Sequence, residues 1–191
     1  NEKVLEVETL SYNLSWDGIE YDYYIPLMSL PNYLDSNFSD IHTLQGKWIV
    51  SSVKKQTYSS YLLPKMKKHI AICWKGNPNQ SRDYWRSISY SYFLNMVKRF
   101  PQCAFYLFVF NQSEEEKQAF LNIDNVVDMS SFIDDFSDSA AFLSQLDLCI
   151  SSDTSLVHLA GSLQLPTWLL LSYRPDWRWS VSFSQGLLYP S

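Results

Sequence analysis

From His69 onward short apolar runs alternate with stretches of helical spacing, and no other feature constrains the fold as tightly. The apolar runs lie at 69–74, 103–110, 125–128, 147–151 and 166–171, and the helical patterns between them at 88–100, 114–121, 137–146 and 154–163. Strands that alternate with helices point to an α/β domain, a parallel sheet with helices on both faces. Phe93, Met96, Val97 and Phe100 mark the inward face of the first helix, and Phe136, Ala140 and Leu143 that of the third.

Residues 1–65 read differently. They hold an expected strand at Val4 to Val7, an aromatic and acidic stretch through Tyr24, a turn from Pro26 to Pro31, and a Ser- and Lys-containing segment before Pro64. This segment is expected to be the tail of a preceding domain plus a linker, with residues 66–191 as the main domain. The length of 191 residues allows one full domain and part of a second, and 46% hydrophobic residues rules out a disordered tail. No internal repeat or low-complexity tract is visible.

A net charge of −5 argues against nucleic acid as a partner, while leaving room for a local basic pocket around a phosphate. Cys73, Cys103 and Cys149 are odd in number, far apart and set in or beside apolar runs. That suits buried thiols in a reducing cytoplasm better than disulfides, and no metal-ligand spacing appears among them. The apolar runs are too short to span a bilayer, and no signal-peptide pattern opens the chain. A start at Asn1 without Met suggests a piece of a larger protein.

The stretch from Leu146 to Pro166 reads as a buried strand, a polar turn and a helix. Asp153 sits where an N-cap belongs, and Leu156, Leu159, Ala160 and Leu163 recur at helical spacing. Thr154, Ser155 and His158 fall together on another face. The first N–H groups of such a helix lack intrahelical partners and carry the positive end of its dipole, so a phosphate is stabilised there. A nucleotide or nucleotide sugar is the ligand this corner suggests.

Other segments lie where ligands gather, beyond the carboxyl ends of the strands. The first strand runs into Lys75, Gly76 and Asn77, followed by Arg82 and Arg86. Gly76 allows close backbone approach and the cations suit phosphates; a solvated basic loop with a turn glycine is the competing reading. Glu114, Glu115 and Glu116 follow the second strand. One of them can accept from ribose hydroxyls, or all three merely complement the helix dipole. Met129, after the third strand, is a candidate contact for a base, and Trp177 and Trp179 either pack on a ligand or pack locally. Ser151, Ser152 and Ser155 lie near an Asp and a His, yet no G-x-S-x-G elbow supports a hydrolase.

Taken in order, PLMSLP at 26–31, ICWKGNP at 72–78, Arg86-Ser-Ile88, DFSDSAAFLSQLDLCISSDTSLVHLAG at 135–161, DWRW at 176–179 and YPS at 189–191 resemble bacterial glycosyltransferases of the heptosyltransferase type. The resemblance is to their C-terminal part, and strongest to relatives that follow tetratricopeptide repeats. It implies a Rossmann-like parallel sheet forming the C-terminal half of a two-domain B-type glycosyltransferase. That half binds a nucleoside-diphosphate sugar for inverting transfer to a glycan, lipid or protein acceptor, without a metal or other cofactor. By resemblance, Lys75, Gly76 and Asn77 form the first phosphate-side loop, and Arg86 is the cationic phosphate ligand. Asp153, Thr154, Ser155 and His158 form the diphosphate and sugar turn, with Glu114 and Met129 at ribose and base. Ser155 stands where many heptosyltransferases have Gly, narrowing backbone approach. The family's catalytic base belongs to the N-terminal domain, of which this chain holds only the end. The alternatives are a non-catalytic nucleotide-binding or protein-interaction module and, ranked last, an epimerase or phosphorylase of the same architecture.

Overall fold

Five apolar runs form strands: β1 (Lys68–Cys73), β2 (Cys103–Leu107), β3 (Val126–Asp128), β4 (Leu148–Ser152) and β5 (Thr167–Leu170). The computed structural model describes residues 50–81, 83–176 and 179. The expected strand at 4–7, the turn at 26–31, Arg82, Trp177, Arg178 and the YPS segment lie outside those residues. All four neighbouring strand pairs are parallel, in the order β3-β2-β1-β4-β5. The fold is therefore α/β and Rossmann-like. The last four residues of both β1 and β2 are buried, as a parallel strand covered on both faces requires.

Six helices connect and cover the described sheet: α1 (Ser52–Ser59), α2 (Asp83–Arg86), α3 (Tyr90–Arg99), α4 (Glu114–Phe120), α5 (Phe136–Leu143) and α6 (Ser155–Ser162). Side chains alternate across each strand, so the rings they meet identify the two layers. Trp74, just past β1, packs on Phe93 of α3 at 5.7 Å and on Phe120 of α4 at 5.1 Å. On the opposite face Tyr106 and Phe108 meet Phe142 of α5 at 4.8 and 6.1 Å. Phe142 also contacts Tyr58 of α1 and is fully buried. Phe142→Ala is expected to lower unfolding free energy by about 3–5 kcal/mol, the usual cost of emptying an aromatic site in a packed core. Denaturant titration checks this, with a lower midpoint at an unchanged slope.

Residues 50–63, ahead of the expected boundary at 65, pack on this same sheet. Tyr58 donates to the Phe132 carbonyl at 2.8 Å, and the Leu63 N–H donates to the Tyr106 hydroxyl at 2.9 Å. Lys54 pairs with Asp138 at 2.7 Å, tying α1 to the start of α5.

Two helix-face expectations need correction. The predicted helix over 88–100 starts at Tyr90, because Ser89 is extended and caps the helix, its hydroxyl accepting from the Ser91 N–H. Phe100, predicted inward, leaves the helix at its C-cap and is 42% exposed. Phe136, also predicted inward, is the first residue of α5 and 60% exposed, while Ala140 and Leu143 are buried as expected. No helix among the described residues is long and apolar enough to cross a membrane.

Candidate functional site

The strand order creates a crevice between β1 and β4. From β1 the chain moves outward through β2 to β3, then returns to place β4 on the other side of β1. The loops leaving these two strands therefore diverge, and a gap opens beyond their carboxyl ends. A cavity of about 190 Å³ lies there. Its polar wall holds Lys75, Gly76 and Asn77 from the loop after β1, Asn111 from the loop after β2, and Thr154 and Ser155 from the β4–α6 corner.

Arg86 ties the two loops together. Its Nε donates to Asp83 Oδ1 at 2.9 Å, and its Nη1 to the Asp153 carbonyl at 2.7 Å. Asp83 is buried and also accepts from the Gly76 N–H and the Ser87 hydroxyl, which fixes the guanidinium from behind. The guanidinium then lies directly over Gly76. A Cβ at position 76 would fall 2.3 Å from Arg86 Nη2 and 2.9 Å from both Arg86 Cζ and Asp83 Oδ1. Any other residue there displaces the arginine, so glycine is required for close approach. The Nη2 group has no acceptor among the described residues.

Lys75 is engaged by Glu116, the third residue of α4. Glu116 also accepts from Trp74 Nε1 at 2.8 Å and from the Ser113 N–H at 2.7 Å, while the Ser113 hydroxyl caps the Glu116 N–H. Burial pushes the Glu116 carboxyl up, but the bonds from Lys75, the Ser113 N–H and Trp74 outweigh it and hold the group below its ordinary value.

The helix after β4 begins one residue later than predicted. Thr154, not Asp153, is the N-cap of α6, and its side chain caps no backbone group. The Thr154 hydroxyl instead pairs with that of Ser151 at 3.1 Å and faces Cys73 Sγ at 3.9 Å. In α4 and α5, by contrast, Ser113 and Asp135 close full capping boxes. The N–H groups of Ser155 and Leu156 are thus left without a protein acceptor among the described residues, and both residues line the cavity. Asp153 contributes its carbonyl to Arg86. His158 lies one turn further along α6, half-buried, with its ring stacked on Trp179 at 4.9 Å and 20°.

Arg86, Asp153 and His158 are not among the residues lining the cavity, and Glu114 and Met129 stand elsewhere altogether. Glu114 points outward, 81% exposed and paired with Lys117 at 2.9 Å, so it does not face the cavity. Met129 is fully buried, because the chain turns inward after β3 and its N–H bonds the Leu107 carbonyl at 3.1 Å; no base can reach it. Sequence reasoning missed Asp83, whose spacing of three from Arg86 was the available signal, and named Glu116 only as one of three ribose or helix-dipole candidates, although it stands at capping-box distance from Ser113. It also missed Phe110, which lines the cavity and is 54% exposed.

Cys73, Cys103 and Cys149 are free thiols. Burial pushes the Cys73 thiol up, and burial with Cys73 alongside pushes the Cys149 thiol up, so both stay protonated. Among the described residues no group of three or more His, Cys, Asp or Glu side chains is placed to hold a metal ion.

No protein-family model matches the chain, and no curated protein matches it. Among solved structures it is similar to E. coli ADP-heptose LPS heptosyltransferase II, at 14% identity and a TM-score of 0.48 over 64% of this chain and 38% of that one. It is similar also to E. coli heptosyltransferase WaaC with ADP-2-deoxy-2-fluoro heptose, at 14% identity and a TM-score of 0.44 over the same shares. POFUT1 in complex with GDP aligns at 12% identity and a TM-score of 0.44, over 62% of this chain and 48% of that one. The chain thus spans less than half the length of each protein it resembles.

Proposed function

We propose that the cavity beyond β1 and β4 binds the diphosphate of a nucleoside-diphosphate sugar. The observation that carries this reading is the pairing of two uncapped α6 N–H groups, on Ser155 and Leu156, with the Arg86 guanidinium held over Gly76. N–H donors on the cavity lining and a forked cation over Gly76, which lines the same cavity, are complementary to a diphosphate, and a helix start adds the positive end of its dipole.

In this reading the chain is the C-terminal, donor-binding half of an inverting B-type glycosyltransferase of the heptosyltransferase kind. Arg86 Nη2 and the Ser155 and Leu156 N–H groups stabilise the negative charge that grows on the departing diphosphate, so the step needs no metal. The proton leaving the acceptor hydroxyl goes to an acidic residue of the N-terminal half. The acceptor is a glycan, lipid or protein, and helical repeats precede this region in the bacterial parent. The free thiols favour a cytoplasmic setting.

The Lys75–Glu116 pair favours a second reading, a module that binds nucleotide and transfers nothing, because it takes one cation away from the phosphates. Donor hydrolysis and transfer by a longer protein that includes the N-terminal half separate the two.

A thermal-shift panel of ADP-, UDP- and GDP-sugars tests binding itself. At one hundred times Kd the bound form gains about 2.7 kcal/mol, a shift of several degrees for a domain of this size. At least one donor is expected to raise Tm; no shift with any of them overturns the proposal.

A further inference from the structure

The cavity also has an apolar lining. Phe108, Phe110 and Phe136 contribute to it together with Leu156 and Leu159. Most of this lining is ordinary core. Phe108 is 2% exposed and packs on Phe142, and Leu156 and Leu159 are buried under α6.

Phe110 and Phe136 are different, at 54% and 60% exposure. Phe110 lies two residues beyond Phe108, past the end of β2. Phe136 opens α5, one turn ahead of the buried Ala140. Neither ring contacts another aromatic ring among the described residues, although Tyr58, Tyr106, Phe108 and Phe142 interlock nearby. Two large, exposed apolar rings therefore line the same cavity as Lys75, Gly76 and Ser155. Leaving them in water forgoes stabilisation that a flat apolar occupant would restore.

We infer that Phe110 and Phe136 form the subsite for the nucleobase of the bound nucleotide, in place of Met129. This rests on the proposed diphosphate site, since the phosphates at Gly76, Arg86 and α6 are what direct the base toward these rings. Every base has an apolar π-face, so stacking supplies affinity with little choice between bases. The subsite thus takes purine and pyrimidine nucleotides alike, leaving selection of the donor to other contacts.

Calorimetric titration of the chain with ADP, GDP, UDP and inorganic pyrophosphate tests this. Phe110→Ala and Phe136→Ala are each expected to raise Kd for all three nucleotides roughly 10-fold while leaving pyrophosphate binding unchanged. Phe136→Trp is expected to retain nucleotide affinity. If nucleotides bind and neither alanine variant weakens them, the base subsite is wrong and the diphosphate site stands. Equal weakening of nucleotides and pyrophosphate assigns the rings a purely structural role and also overturns it. If the wild-type chain binds neither nucleotides nor pyrophosphate, the diphosphate site falls and the base subsite with it.

Discussion

Arg86→Ala is expected to weaken nucleotide binding roughly 100-fold, the largest functional effect of any single change in this chain. Charge-assisted bonds to a phosphate are worth about 1.5–3 kcal/mol, and Arg86 does more than supply one. It joins the loop after β1 to the carbonyl of Asp153, at the entrance to α6. Without it the two donors on α6 lose their fixed relation to Gly76. Arg86→Lys keeps the charge but not the fork that reaches Asp83, Asp153 and the ligand at once, so it is expected to recover only a small part of the affinity. Gly76→Ala, which leaves every charge in place, should act in the same direction because its Cβ collides with the guanidinium. Titration calorimetry with the best nucleotide ligand is the measurement. An affinity within twofold of wild type for Arg86→Ala removes it from the site.

Glu116→Ala is expected to cost about 3–5 kcal/mol of stability, the usual loss when one partner of a buried charge pair is removed. Three groups lose their acceptor together: the Lys75 ammonium, the Trp74 indole and the Ser113 N–H that starts α4. The effect must also depend on pH. The folded carboxyl titrates below its unfolded value of about 4.5, so its contribution is complete above that pH and disappears as pH falls through the folded pKa. Urea titrations between pH 3 and pH 7 should show wild-type stability declining on the acid side. Glu116→Gln should show a shallower decline from a lower start. A variant as stable as wild type at pH 7 would mean that Glu116 contributes nothing net.

The sheet was legible because each strand is an apolar run bounded by polar turns and each crossover has a clear helical stripe. Details that long-range contacts decide were not legible. Asp153 has the composition of an N-cap, yet its carbonyl is held by Arg86 and the helix starts from Thr154. Nothing within a few residues of position 153 signals that bond. Glu114 and Glu116 look alike until Trp74 and Lys75 come across from β1 to select the second. Phe136 belongs to the correct helical stripe, but as the first residue of α5 it stays exposed while Ala140 and Leu143 further along the helix are buried. The packing of 50–63 escaped for a related reason, since Val50, Tyr58, Tyr61, Leu62 and Leu63 meet the core from a segment whose intervening residues are mostly Ser, Thr, Gln and Lys.

The strand order also has a consequence for when the cavity comes into being. Ile70 pairs with Leu148, so the two walls of the crevice are brought together by one of the most sequence-distant contacts in the sheet. Pairings between β1, β2 and β3 close shorter loops and are expected to form more readily, while β4 must return past both to reach β1. A chain ending before β4 could keep three paired strands and hold no crevice at all. Ligand affinity therefore reports more than the health of a few side chains: it registers whether the most entropically demanding pairing of the domain has been made.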